Sequence, residues 1–201
     1  MWNSLTDPGS FPTIFTRSDN SNTVPGICVR WQWVSTGGFD KSLKDVLIGM
    51  EMEIEETYYT CLDIATKYYN YIPGGIRIFK EDRELLENNS YKLFGSSLGL
   101  PFLLGVMSYA NNTPWPNKTV SWGNIRPVRN NSFAIYPVDN ILDKIKILRD
   151  LGAENLIHPK DEELNLKDIR DTGIPFEIET AVTILEKKFI NRSGRCILIS
   201  K

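Results

Sequence analysis

The chain has 201 residues, 41% of them hydrophobic and 24% charged; such a chain can bury a substantial core, and these proportions exclude a disordered, collagenous or low-complexity scaffold. Its 23 Lys and Arg against 25 Asp and Glu leave a net charge of -2, without the broad basic field of a dedicated nucleic-acid binder. Cys28, Cys61 and Cys196 are widely spaced and His158 is the single histidine, so neither a disulfide framework nor a zinc site is expected, no cofactor is implied, and the cysteine usage reads as cytoplasmic.

Residues 1–25 are rich in Ser, Asn, Thr and Pro without a sustained period, and are expected to form an extended arm ahead of a domain at 26–201. Residues 27–35 alternate Ile27, Val29, Trp31 and Trp33 against Cys28, Arg30, Gln32 and Val34, the pattern of a half-buried strand. Over 43–54, Met50, Met52 and Ile54 alternate with Glu51, Glu53 and Glu55, and the segment reads as strand before a long helix over 54–70, whose stripe is Ile54, Tyr58, Cys61, Leu62, Ala65 and Tyr69. A short strand is expected at 76–79, a polar connection at 81–90, and a helix at 97–110 that is apolar nearly all round and therefore central. The loop at 111–117, with Trp115 between two prolines, reads as exposed and as a partner contact.

Two strands follow, at 119–125 and 132–136, then an amphipathic helix capped by Asp139 or Asn140 and ended by Gly152. Its apolar positions are Val138, Ile141, Leu142, Ile145, Leu148 and Leu151. A strand at 155–158, a helix at 178–189 and a last strand at 196–199 complete an α/β or α+β order with helices on a mixed sheet. No run approaches the roughly eighteen apolar residues of a membrane span, and the first residues lack the features of a signal peptide. Asn-x-Ser/Thr sequons at Asn88, Asn111, Asn117, Asn130 and Asn191 are what an Asn- and Ser-rich sequence yields by chance.

The segments GSSLGLPFLLGVMSYA at 95–110, SWGNI at 121–125 and YPVDNILDKIKILRDLGAENLIHPKDEE at 136–163 resemble, in order and spacing, the proteolytic domain of Lon proteases. In that family a Gly-x-Ser-x-Gly turn opens a buried helix, a Thr-Gly-Glu-Ile strand follows, and Pro-Ile-Gly-Gly-Leu-Lys starts an amphipathic helix. The likeness spans roughly 26–190 and implies an arrangement similar to ribosomal protein S5 domain 2. It also implies a serine–lysine dyad, in which a neutral lysine takes the serine proton before attack on a carbonyl. Ser97 matches the nucleophile, and a helix start beside it would offer N–H groups to an oxyanion; its alternative role is a helix cap.

The family's lysine position, counted from Pro137, is occupied by Leu142. At about 100° per residue Lys144 lies about 200° from that position, and Lys146 about 40° round and roughly 6 Å along, so Lys146 is the better base if the domain is active. Phe94 replaces the family's acidic residue, and Trp122 and Asn124 replace the Thr and Glu of its strand. Apolar bulk there is hostile to a tuned general base. The expectation is a catalytically inactive Lon-like domain that works through a protein partner or self-association. The alternatives are an active serine peptidase using Ser97 with Lys146 or Lys144, and a nucleic-acid module using Arg77, Lys80, Arg126, Arg129 and Trp122.

Bland readings apply elsewhere. Glu51, Glu53, Glu55 and Glu56 read as a solvated face, His158 as a rim histidine, and Trp31 with Trp33 as core.

Overall fold

The computed structural model describes residues 2–18, 26–89, 92–94, 97–127, 133–136, 138, 141–159 and 177–180. After a short 3-10 turn at Trp2–Ser4 the elements are β1 Ser10–Ser18, β2 Gly26–Val34, β3 Gly38–Phe39, α1 Leu43–Val46, α2 Glu51–Tyr68, β4 Gly75–Ile78, α3 Lys80–Asn89 and β5 Lys92–Phe94. They continue as α4 Gly99–Ala110, β6 Thr119–Ser121, β7 Asn124–Pro127, β8 Phe133–Tyr136, α5 Ile141–Asp150, β9 Asn155–His158 and β10 Glu177–Thr180. The arrangement is mixed α and β, with helices packed on a mixed sheet.

Five strands pair in the order β3-β4-β2-β1-β5, antiparallel except for β3 beside β4. Alternation along β1 and β2 divides the sheet's faces. Phe11, Thr13 and Phe15 pair with Trp31, Val29 and Ile27; Phe11, Phe15, Val29 and Trp31 share a buried cluster with α1, α2 and α4, and Thr13 is buried on the same face. Ile14, on the opposite face, belongs to a second cluster with Ile145, Ile147 and Leu148 of α5 and with Val120 and Leu156. A parallel sheet β10-β9-β6 and a β7–β8 hairpin complete the fold.

The arm expected at 1–25 gives way at Ser10–Ser18 to β1, which lies between β2 and β5. Phe11, Ile14 and Phe15 are buried there, and their apolar share was hidden in the sequence by intervening Pro and Thr. Pro12 is tolerated because β5 pairs only with Thr16, Arg17 and Ser18, so β1 has one ladder neighbour at the proline. The strand expected at 43–54 is replaced by α1 and the start of α2. Met50 and Ile54 are buried four apart while Met52 is 75% exposed, so the Met/Glu alternation is one edge of a helical stripe.

The polar connection expected at 81–90 is mostly helix, α3. Its single deeply buried apolar residue, Leu86, is too little to write a stripe, and long-range polar anchors supply the rest. Asp82 accepts from the Arg30 backbone N–H at 2.6 Å and from Nε and Nη2 at 2.8 and 2.7 Å. This hydrogen-bonded pairing outweighs burial and raises the guanidinium pKa. Arg83 reaches Asp40 at 3.0 Å and the Ser42 hydroxyl at 2.7 Å. Partial burial alone would raise the Asp40 carboxyl, but hydrogen bonds from Ser42 and Arg83 outweigh it and hold the carboxyl below its ordinary range.

α4 is buried from Gly99 through Ser108, as its all-round apolar sequence requires, and its buried Leu, Phe, Val and Met side chains each contribute about 1.5–3 kcal/mol of transfer energy. α5 stops where expected. The Gly152 N–H bonds to the Arg149 carbonyl and the Ala153 N–H to the Leu148 carbonyl, with Gly152 at φ +64°, the left-handed closure that glycine allows. The predicted caps Asp139 and Asn140 lie outside the described residues. The helix expected at 178–189 begins instead as β10, whose Glu177, Ile178, Glu179 and Thr180 pair parallel with Asn155 through His158; residues 181–189 and the strand expected at 196–199 lie outside the described residues. Among the described residues no helix is long and apolar enough to cross a membrane.

Candidate functional site

Ser97 stands two residues before α4 and is 3% exposed. The lead-in to the helix is fastened to the chain between β6 and β7. The Gly123 N–H bonds to the Ser97 carbonyl at 3.3 Å, and the Leu100 N–H bonds to the Gly123 carbonyl at 2.9 Å. This second bond consumes a donor that a helix start would otherwise offer to an oxyanion. Neither does Ser97 cap α4: Leu98 holds the cap position without a side-chain cap bond. Gly99 is fixed by close approach, since a Cβ there would stand 2.4 Å from the Ile125 nitrogen.

The residues expected around Ser97 are distributed unevenly. Trp122 is 1% exposed and packs in the cluster of Val138, Ile145 and Leu148, while its backbone N–H bonds to the Ile157 carbonyl at 3.1 Å. An indole therefore stands immediately before Gly123, between β6 and β7. Asn124 opens β7, and the side chains of Phe94 and Leu142 are outside what the structure describes.

The two lysines of α5 have opposite fates. Lys146 is exposed, and its ammonium meets Asp143 at 3.3 Å on the outer face of the helix. Lys144, expected to oppose the apolar side, is 1% exposed. The correction has a geometric cause: Lys144 precedes Ile147 by three and Leu148 by four, so it extends the buried stripe, and α5 lies against β1 and β2.

Beside this lead-in a cleft of about 510 Å³ is lined by Met50, Glu53, Glu56, Thr57 and Thr60 of the α2 side, by Leu98, and by Asn124, Ile125 and Arg126 of β7. Leu98, not Ser97, contributes to its wall. Arg126 holds its guanidinium 5.4 Å over the Tyr136 ring. Composition gave no signal for this cleft, because its walls come from elements far apart in sequence.

Other sequence candidates resolve as follows. Arg77 is hydrogen-bonded to Gln32 at 2.6 and 3.1 Å, and Lys80 pairs with Glu84 at 3.6 Å. The buried Trp122 offers no exposed face for base stacking, and Arg129 lies outside the described residues. Trp115, expected on an exposed loop, is 4% exposed; its Nε1 donates to the Thr119 carbonyl at 2.8 Å and its ring lies 5.9 Å from Phe11. The prolines stiffen the loop, but the indole anchors it inward. His158, read as a rim residue, is 6% exposed, and burial lowers its pKa against an opposing hydrogen bond that the ring donates to the Pro159 backbone carbonyl.

Trp31 and Trp33 are core residues, both essentially fully buried. Burial pushes the Cys28 thiol up to about 12 and raises that of Cys61 still further, so neither is a ready thiolate. Among the described residues no three His, Cys, Asp or Glu side chains are placed to hold a metal ion. No family model matches the chain, and no curated protein matches it.

Proposed function

We propose that this chain is a Lon-protease-like domain that keeps the helix-and-sheet framework without the peptidase chemistry and acts through protein binding or assembly. The observation that carries the reading is the treatment of Ser97: its hydroxyl belongs to a residue buried to 3% exposure, and the Leu100 N–H beside it is spent on Gly123. Lys146, the favoured base, faces solvent with Asp143. A serine nucleophile needs a base within hydrogen-bond reach and donors aimed at the developing oxyanion. Neither Lys146 nor the Leu100 N–H is placed to supply one.

The second reading, a serine peptidase with Ser97 as nucleophile and a lysine base, draws on the burial of Lys144, an amine withdrawn from bulk water on the helix that the family uses. Incubating the chain with unfolded casein and fluorogenic peptides between about pH 6 and 9 separates the two. The non-catalytic reading expects equal, background turnover for the native chain and Ser97→Ala. Turnover lost in Ser97→Ala, and lost again in Lys144→Met with the fold retained, would replace it by the peptidase reading.

A further inference from the structure

We propose that the outer face of α2, together with the cleft beside it, docks a basic segment of a partner protein, one in which a lysine or arginine is flanked by an apolar side chain. The inference rests on the non-catalytic reading and names the chemistry of the partner. The cleft of about 510 Å³ lies within the size range of binding sites, and it adjoins a second hollow. That hollow, of about 370 Å³, is lined by Met52, Glu55, Glu56, Tyr59 and Thr60, so Glu56 and Thr60 border both.

The floor of the hollow is apolar and exposed. Met52 is 75% and Tyr59 56% exposed, and their spacing of seven residues sets them two turns apart on one side of α2. Tyr59 is braced edge-on by Tyr58 at 5.0 Å, and Tyr58 in turn stacks on the buried Trp33 at 5.3 Å. An aromatic surface fixed to the core in this way loses little side-chain freedom on binding. Such exposed aromatics are the usual anchors of an interface.

Charge then selects the occupant. Glu55 is taken by Lys44, whereas Glu53 and Glu56 are exposed and form no ion pair among the described residues. The cation across the cleft, Arg126, rests on the Tyr136 ring and forms no ion pair with either carboxylate. An acidic rim around a Met and Tyr floor complements a basic and apolar segment and repels an anionic one.

The test uses the full chain and three short dye-labelled peptides of one leucine pattern, carrying lysine, glutamine or glutamate at the polar positions, followed by fluorescence anisotropy. The lysine peptide is expected to bind saturably, more weakly as salt rises, with the glutamine peptide weaker and the glutamate peptide without binding. Removing both charges in Glu53→Gln/Glu56→Gln weakens binding about tenfold, and Tyr59→Ala weakens it by a similar factor; unchanged circular dichroism shows that the variants fold. A lysine peptide that does not bind, or binds the variants as well as the native chain, overturns the inference. Mass spectrometry of the same mixtures keeps the two readings apart: cleaved peptide overturns the non-catalytic reading, and peptide left intact and unbound overturns the docking inference alone.

Discussion

The two faces of the five-stranded sheet are filled by different chemistry. On the α2 and α4 side, Phe102 meets Trp31 at 5.0 Å, Phe11 at 5.3 Å and Trp33 at 6.0 Å. The indole nitrogens there are satisfied by the Thr13 hydroxyl at 2.7 Å and the Phe102 carbonyl at 3.1 Å. The α5 side is mainly aliphatic, with Trp122 and the partly buried Trp2 as its aromatics, and takes polar groups inside: Lys144 is buried on α5, and His158 shares a face of β9 with Leu156. Leu98 belongs to the first cluster and Trp122 to the second, so Ser97 sits at the seam between two packed regions. The contrast teaches that, among the described residues, this seam is fastened by packing from both sides and by the backbone hydrogen bonds that tie Ser97 and Leu100 to Gly123.

Substitutions on the two faces break or sharpen that comparison. Phe102→Ala removes the ring on which the aromatic face converges and is expected to cost about 3–5 kcal/mol in urea denaturation; a loss below about 1 kcal/mol would show that the face is not a jointly packed unit. Asp82→Ala leaves the half-buried Arg30 guanidinium, 14% exposed, without its main partner, for an expected loss of about 3 kcal/mol. On α5, Lys144→Ala is expected to cost about 2 kcal/mol through lost packing, against less than about 0.5 kcal/mol for Lys146→Ala. Equal effects of the two lysine substitutions would contradict the buried and exposed assignments.

The smallest effect is one of pH. Burial favours neutral His158 in the folded chain and lowers its pKa from the ordinary 6.5. Its contribution is therefore fully present above the unfolded value. As pH falls below it, the unfolded chain takes up a proton that the folded chain resists, and stability declines until the folded pKa is passed. Since His158 is the single histidine, the denaturation midpoint should fall between pH 7 and about 5.5, and His158→Gln should flatten that slope. An unchanged slope in the variant would place His158 in contact with water.

Much of the framework was legible in the sequence because it is written in local periodicity. The alternation of Val29, Trp31 and Trp33, the stripe of α2 from Ile54 to Ala65, and the Gly152 stop all describe what the chain does. What escaped was written in long-range pairing: β1 is a strand because β2 and β5 flank it, and α3 is pinned by Arg30, Asp40 and Ser42. The site was legible only in part. Ser97 could be placed beside a helix start, but the bond from Leu100 to Gly123 and the inward position of Lys144 depend on how α4 and α5 dock. The cleft between α2 and β7 joins residues more than sixty positions apart, beyond the reach of any motif.

Reaction of the intact chain with a fluorophosphonate, read by whole-protein mass spectrometry, tests most directly whether Ser97 has been left without nucleophilic activation. The expected result is an unmodified mass after prolonged exposure at neutral and mildly alkaline pH. A stoichiometric adduct mapped to Ser97 and missing from Ser97→Ala would contradict the account.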